Sequence, residues 1–71
     1  MNRREWLLKM FGAAIRDRRT QLGLSQMKLA ELVECSLQHI GNVERGESNT
    51  SFIMMYKIAD VLKIHPRELI P

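Results

Sequence analysis

The chain has 71 residues, which suffices for one small domain and leaves no room for a second hydrophobic core. Its formal charge of +3 and pI of about 9.5 are mildly basic, which permits a nucleic-acid partner without demanding one. A single cysteine, Cys35, excludes an internal disulfide and a zinc site built on thiolates. No apolar run approaches the roughly 20 residues of a membrane span, and Lys9 interrupts the apolar N-terminal patch, so we expect neither an anchor nor a signal peptide.

Apolar residues recur at helical spacing early in the chain and predict a first helix over residues 3–22, with a stripe formed by Leu8, Phe11, Ile15 and Leu22. Gly12 weakens this helix mildly, and Gly23 is placed to end it as a left-handed cap. Trp6 lies beside the stripe. It either covers the edge of the core or contacts another subunit, and the sequence leaves both open.

Two short helices follow, each preceded by a serine that is a good N-cap. Ser25 precedes a helix over residues 26–33, and Ser36 precedes one over residues 37–45. Gly46 is expected to end the second of these helices. The pair and the tight turn between them form the middle of the chain.

A polar, turn-prone loop over residues 46–50 leads to a fourth helix over residues 52–62, capped by Ser51. Its stripe consists of Phe52, Met55, Ala59 and Leu62, and further apolar residues widen it, so we expect this helix to be covered on two sides. Pro66 begins a last short turn that ends at Ile70. The sequence therefore predicts an all-α fold with five helices and no strand.

The second short helix has a polar face that could read bases. At about 100° per residue, Ile40 and Val43 point to the core, and the opposite side holds Leu37, Gln38, Gly41, Asn42 and Arg45. A carboxamide pairs bidentately with adenine in the major groove, and a leucine can meet a thymine methyl group. A solvated helix can show the same polar face, so this face alone does not decide between DNA and solvent.

The surrounding helices favour DNA. Two short helices joined by a tight turn, with a longer helix before and another after, form a helix-turn-helix arrangement. In that arrangement Gln26 and the free amides at the start of the first short helix would face a phosphate.

The run from residue 23 to residue 70 resembles the phage-repressor and Cro type of helix-turn-helix domain. The segments that carry the resemblance are LGLSQ, the alanine of KLAELV, I-x-x-V-E-R-G and the following N-x-S. Within that family, the chain is most similar to the controller proteins of restriction–modification systems in the segment ERGESNTSFIMMYKIADVLKI. The resemblance implies a five-helix, lambda-repressor-like domain over residues 1–71. It also implies a bacterial or phage-encoded, cytoplasmic and nucleoid-associated regulator that binds a palindromic operator as a homodimer.

The resemblance also implies roles for individual residues. Base-reading side chains are expected at Ser36, Leu37, Gln38 and Asn42, and phosphate contacts at Gln26, Arg45, Ser48 and Asn49. A structural ion pair is expected between Arg19 and Glu44. The dimer interface is expected at Met54, Val61, Ile64, His65, Leu69 and Ile70.

Four positions depart from the family pattern. Glu34 replaces the usual turn glycine and predicts a strained turn, and Leu37 stands where a polar or basic residue is usual. Thr50 replaces a common proline. Arg18 occupies an apolar position, where we expect its stem to lie along the core with its head in water.

Other functional classes find little support in the sequence. His39 and His65 lie on different elements without a partner ligand, so we expect no metal site. The sequence has no nucleophile paired with a base at a recognisable spacing, so we expect neither an enzyme nor a cofactor. Cys35 is expected to be a buried, inert thiol. The remaining alternatives are an antitoxin whose main role is protein interaction and a phage repressor. The operator sequence and the direction of regulation do not follow from the residues.

Overall fold

The computed structural model describes residues 1–69. They form four α-helices and one 3-10 turn: α1 (Arg3–Gln21), α2 (Gln26–Val33), α3 (Leu37–Glu44), α4 (Phe52–Val61) and η1 (Pro66–Leu69). The all-α prediction is confirmed, and within this range the expected fifth helix is a single 3-10 turn. None of the helices in residues 1–69 is long and apolar enough to cross a membrane.

Short polar side chains begin the α-helices. Ser25, Ser36 and Ser51 each accept a hydrogen bond from the backbone N–H three residues later, at 3.0, 3.0 and 3.1 Å. Each such cap contributes about 1 kcal/mol to helix stability. The three predicted serine caps are confirmed, and Asn2, which the sequence reasoning missed, caps α1 in the same way.

A residue in the left-handed conformation follows each of the four α-helices. Gly23 (φ 71°) and Gly46 (φ 75°) adopt this conformation without steric cost, as predicted. Glu34 ends α2 in the same region at φ 60° and ψ 49°, so the turn between α2 and α3 is built with a strained non-glycine residue. Lys63 (φ 59°) does the same after α4, and nothing in its sequence neighbourhood indicated this.

The core lies between all the elements. α3 packs on α1 and α2, α4 packs on α2 and η1, and η1 also packs on α1. The buried apolar side chains are Ile15, Leu29, Ala30, Val33, Ile40, Val43, Ile58, Ala59, Leu62 and Leu69. The predicted stripe of α4 is wrong at its first residue: Phe52 is 78% exposed, because the buried side of α4 centres on Ile58 and Leu62. The α2–α3 unit is thus braced from both sides.

Gly12 marks the closest approach of two helices. A Cβ atom at this position would lie 2.2 Å from the carbonyl oxygen of Val43 and 2.6 Å from that of Glu44. From the sequence, Gly12 was expected only to weaken α1 mildly. In the fold it is the residue that lets α1 cross the C-terminal end of α3 backbone to backbone.

Arg18 differs from expectation in the placement of its charged head. Its Nε donates a hydrogen bond to the carbonyl oxygen of Leu62 at 2.9 Å, and the side chain is half-buried. The guanidinium therefore satisfies a carbonyl at the C-terminal end of α4, where a positive charge is favourable.

Candidate nucleic-acid interface

A buried ion pair fixes α3 against α1. Arg19 donates to the Glu44 carboxylate twice, from Nε to Oε2 at 2.6 Å and from Nη2 to Oε1 at 3.0 Å. The two side chains are only 10% and 2% exposed. Arg19 Nη1 also donates to the carbonyl oxygen of Leu24 at 2.8 Å, so the same guanidinium holds the turn before α2. A bidentate pair in so little water fixes geometry more strongly than a surface pair.

The Glu44 carboxylate also orients the first side chain of α2. Gln26 Nε2 donates to Glu44 Oε1 at 3.0 Å, and Gln26 is half-buried at the surface. A carboxamide nitrogen carries two hydrogens, so one remains for an external acceptor. The three-residue cluster of Arg19, Glu44 and Gln26 thereby links α1, α2 and α3.

The exposed side of α3 carries most of the predicted base-reading residues. Ser36, Leu37 and Gln38 are exposed, and Asn42 is half-buried. Ile40 and Val43 are each 1% exposed, which confirms that they point to the core.

Gly41 corrects the predicted composition of this face. It was expected to be open, and it is buried, because the Arg45 guanidinium lies over it. A Cβ atom at Gly41 would be 3.1 Å from Arg45 Nη1. The space that a glycine would leave for DNA is therefore occupied by an arginine head.

Two neighbours hold that arginine in place. Arg45 Nη2 donates to Asn42 Oδ1 at 2.6 Å, and Arg45 Nε donates to Glu47 Oε1 at 2.8 Å. Glu47 is positioned by the end of α3, where its backbone N–H donates to the Asn42 carbonyl oxygen at 2.9 Å. We call Asn42, Arg45 and Glu47 the arginine clasp. Asn42 and Arg45 were expected at this interface from the sequence, whereas Glu47 was not.

The loop after α3 departs from the predicted phosphate contacts at one residue. Asn49 is exposed, but Ser48 Oγ is buried and has no hydrogen-bond partner in the part of the chain that the structure describes. Ser48 is therefore turned away from any external phosphate. Thr50 Oγ1 lies 3.3 Å from His39 Nε2 and connects the loop to α3.

The residues expected at a dimer interface do not form one exposed patch. Leu69 is 1% exposed and belongs to the protomer's own core, which rules it out as a surface residue. Met54, Val61 and Ile64 are partly buried against that core, and His65 is exposed. Ile70 lies outside the described residues. The open apolar surface of α4 consists instead of Phe52, Ile53 and Tyr56, which are 78%, 72% and 60% exposed.

Cys35 is half-buried rather than fully buried. Desolvation by the surrounding protein raises the pKa of its thiol, which disfavours the reactive thiolate. Within residues 1–69, no three His, Cys, Asp or Glu side chains gather in a way that could hold a metal ion.

Comparisons with known proteins agree with this arrangement. A family described as helix-turn-helix matches residues 15–69. The restriction–modification controller protein C.AhdI from Aeromonas hydrophila superposes with a TM-score of 0.84 at 45% sequence identity, covering 87% of this chain and 94% of that one. The clp gene regulator ClgR from Corynebacterium glutamicum superposes with a TM-score of 0.86 at 25% identity, covering 89% of this chain and 67% of that one. The DNA-binding domain of BldD has a TM-score of 0.82 at 29% identity, covering 100% of both chains. No curated protein sequence matches the chain.

The fold and the placement of α2 and α3 define a DNA-binding domain of the transcription-regulator class. The chain belongs to the helix-turn-helix family, and it is similar to the restriction–modification controller C.AhdI along most of its length.

Proposed function

We propose that this chain is a sequence-specific transcription regulator that binds a palindromic operator as a homodimer and controls a restriction–modification system. The observation that carries the proposal is the cluster of Arg19, Glu44 and Gln26. It joins the helix with the polar face to the side chain at the start of α2 through hydrogen bonds of 2.6 to 3.0 Å. A base-reading surface and a phosphate contact held in one rigid unit are what sequence recognition requires.

The base contacts are assigned to the exposed side of α3. Gln38 has both a donor and an acceptor free for an adenine edge, and Leu37, 45% exposed, suits a thymine methyl group. Ser36 lies at the start of the helix, and Asn42 lies one turn after Gln38. In helix-turn-helix complexes the N-terminal residues of this helix reach deepest into the major groove.

The phosphate contacts are assigned to Gln26 and Asn49. Gln26 lies at the N-terminus of α2, where unpaired backbone N–H groups and the helix dipole favour an anion. Its remaining Nε2 hydrogen adds a directed donor. Asn49 is exposed in the loop that follows α3. Along the chain, α3 therefore lies between Gln26 and Asn49. Contacts of this kind fix the position of the protein on DNA and carry no base preference.

The dimer surface is assigned to the open apolar side of α4. Phe52, Ile53 and Tyr56 are more than half exposed and adjacent on one helix. A stable interface buries about 800 Å² per partner, roughly a sixth of this protomer's 4755 Å² surface. Because α3 packs on α1 and α2 whereas α4 packs on α2 and η1, pairing through α4 leaves both reading helices free. They would enter successive major grooves about 34 Å apart.

The controller role rests on the similarity to C.AhdI, which is 45% identical over 87% of this chain. The nature of the operator cannot be transferred with it, since Leu37 and Gln38 stand in the reading positions of this chain and determine its own preference. We therefore expect this chain to bind an operator that differs from that of C.AhdI. Its sequence can be found by selection from random duplexes.

Base reading is tested by Gln38→Ala, with Gln21→Ala as the matched control. Gln21 is an exposed residue on α1, so its replacement removes the same atoms elsewhere on the surface. Fluorescence anisotropy is measured on the duplex that the wild type selects and on a random duplex. Gln38→Ala should lose about 1–3 kcal/mol on the selected duplex only, and Gln21→Ala should match the wild type. An equal loss on both duplexes would contradict the reading role.

Pairing through α4 is tested by sedimentation of Ile53→Lys, with Met27→Lys as the control. Both residues are exposed and apolar, at 72% and 57%, and only Ile53 lies on α4. We expect a dimer at micromolar concentration for the wild type and Met27→Lys, and a monomer for Ile53→Lys. A wild type that stays monomeric would remove the palindrome from the proposal and favour a protein-interaction role for this surface.

A further inference from the structure

The arginine clasp restricts what Arg45 can contact. The Arg45 side chain is 57% exposed, and two neighbours already occupy part of its hydrogen-bonding capacity. Nε donates to Glu47 and Nη2 donates to Asn42. A guanidinium has five N–H donors, so three remain, two of them on Nη1, which lies over Gly41 on the face of α3. The Nη1 end of the guanidinium, together with one hydrogen on Nη2, thus keeps donors for an outside group.

The clasp also changes what Asn42 offers. Its Oδ1 accepts from Arg45 at 2.6 Å, which occupies one of the two lone pairs of the oxygen and leaves both amide hydrogens for an outside group. Adenine recognition by asparagine uses the oxygen and the nitrogen together. With one lone pair of its oxygen engaged by Arg45, Asn42 offers two amide donors and a single remaining acceptor position, and Arg45 offers donors only.

A carboxylate beside the guanidinium favours a neutral partner over an anion. Glu47 Oε1 lies 2.8 Å from Arg45 Nε, and the Glu47 side chain is 56% exposed. A phosphate bound to the other end of the guanidinium would lie close to this negative charge and be repelled by it. A base edge carries only partial charges, so the carboxylate repels it less than it would repel a phosphate. The edge that offers two acceptors and no donor in the major groove is that of guanine, at N7 and O6.

We propose that Arg45, together with the Asn42 amide, reads a guanine edge, and that Glu47 is a positioning residue that holds Arg45 on the face of α3. The inference rests on the proposed DNA-binding function. It replaces the phosphate contact expected for Arg45 and the adenine contact expected for Asn42. It also makes Glu47 a determinant of specificity although Glu47 itself touches no base.

The test compares Arg45→Ala, Glu47→Ala and Glu31→Ala on the duplex that the wild type selects. Glu31 is an exposed glutamate on α2, and its replacement removes the same charge without touching the clasp. Each half-site guanine is exchanged in turn for 7-deazaguanine, which lacks the N7 acceptor. For each variant, the affinity for a random duplex and the salt dependence of that affinity are also measured.

For one guanine per half-site, 7-deazaguanine should weaken wild-type binding about tenfold, the size of one good base contact. The same exchange should cost Arg45→Ala and Glu47→Ala little further, whereas Glu31→Ala should respond like the wild type. Glu47→Gln, which keeps an oxygen acceptor for Nε, should restore part of the sensitivity.

Two results would overturn the assignment. Arg45→Ala could weaken binding equally on all duplexes and lower the salt slope by about 1, which is the behaviour of a phosphate contact. Glu47→Ala could behave like Glu31→Ala, in which case Glu47 acts only through its charge. A wild type that selects no sequence would instead refute the DNA-reading function itself, so the two failures are distinguishable.

Discussion

Replacement of Gly12 by alanine should change the free energy of unfolding through two effects of opposite sign. Gly12 lies inside α1, where alanine is the better helix former by about 1 kcal/mol. The added methyl group, however, would lie 2.2 Å from the Val43 carbonyl oxygen and 2.6 Å from that of Glu44. Both are backbone atoms and cannot rotate away, so α1 and α3 would have to separate by about 1 Å to restore an ordinary contact distance.

The packing effect should exceed the helix propensity. Overpacking typically costs about 1–3 kcal/mol where side chains can yield, and here the obstacle is backbone. Separation of the helices also stretches the buried Arg19–Glu44 pair, and removal of one partner from such a pair costs about 3–5 kcal/mol. We therefore expect Gly12→Ala to lower the free energy of unfolding by about 2–4 kcal/mol. A domain of this size has only roughly 4–10 kcal/mol in total.

Urea unfolding followed by far-UV circular dichroism measures this change, at one fixed protomer concentration because association would shift the apparent stability. Gly23→Ala is the control for conformational strain alone. Gly23 has φ +71° but no atom within 4 Å of its Cβ position, so it should lose only about 1 kcal/mol. A Gly12→Ala variant as stable as the wild type, or more stable, would refute the close crossing of α1 and α3.

Three further predictions concern single residues. Glu34→Gly should raise the free energy of unfolding by about 0.5–1 kcal/mol, since it relieves φ 60°, and its exposed 4.0 Å contact with Lys57 contributes little; an unchanged urea midpoint would argue against the strain. Glu44→Gln should lower the free energy of unfolding by about 3 kcal/mol, because the Arg19 guanidinium stays buried without its carboxylate. A loss below 1 kcal/mol in the same urea titration would show that the pair is solvated. Burial raises the pKa of the Cys35 thiol, so folded protein at pH 8 should react with Ellman's reagent more slowly than urea-unfolded protein. Equal rates would contradict that desolvation.

Local sequence signals predicted the elements of the fold because those signals act within one turn of helix. Ser25, Ser36 and Ser51 begin their helices through bonds to residues three positions away, and Gly46 ends α3 because of its own backbone freedom. Gly12 could not be understood in this way. Its role depends on a carbonyl more than 30 residues distant, and locally it looks like a defect of the helix.

Helical phase predicted which side chains of α3 point to the core. It could not predict side-chain directions that depend on residues outside the helix. Ile40 and Val43 followed from rotation along α3. The direction of Arg45 depends on Glu47, which enters through the backbone turn after α3. Ser48 and Leu69 turned inward for the same kind of reason, since the packing of a loop or a short 3-10 turn sets the direction of its side chains.

The proposed function requires that one chain reads a specific sequence with α3 while its copy reads the same sequence in the opposite direction. Selection of duplexes from a random pool by the wild-type protein tests it most directly. We expect enrichment of one inverted repeat whose half-site centres lie about 10–10.5 base pairs apart, or a multiple of that spacing. Recovery of duplexes without a shared motif, bound no more tightly than the starting pool, would contradict it.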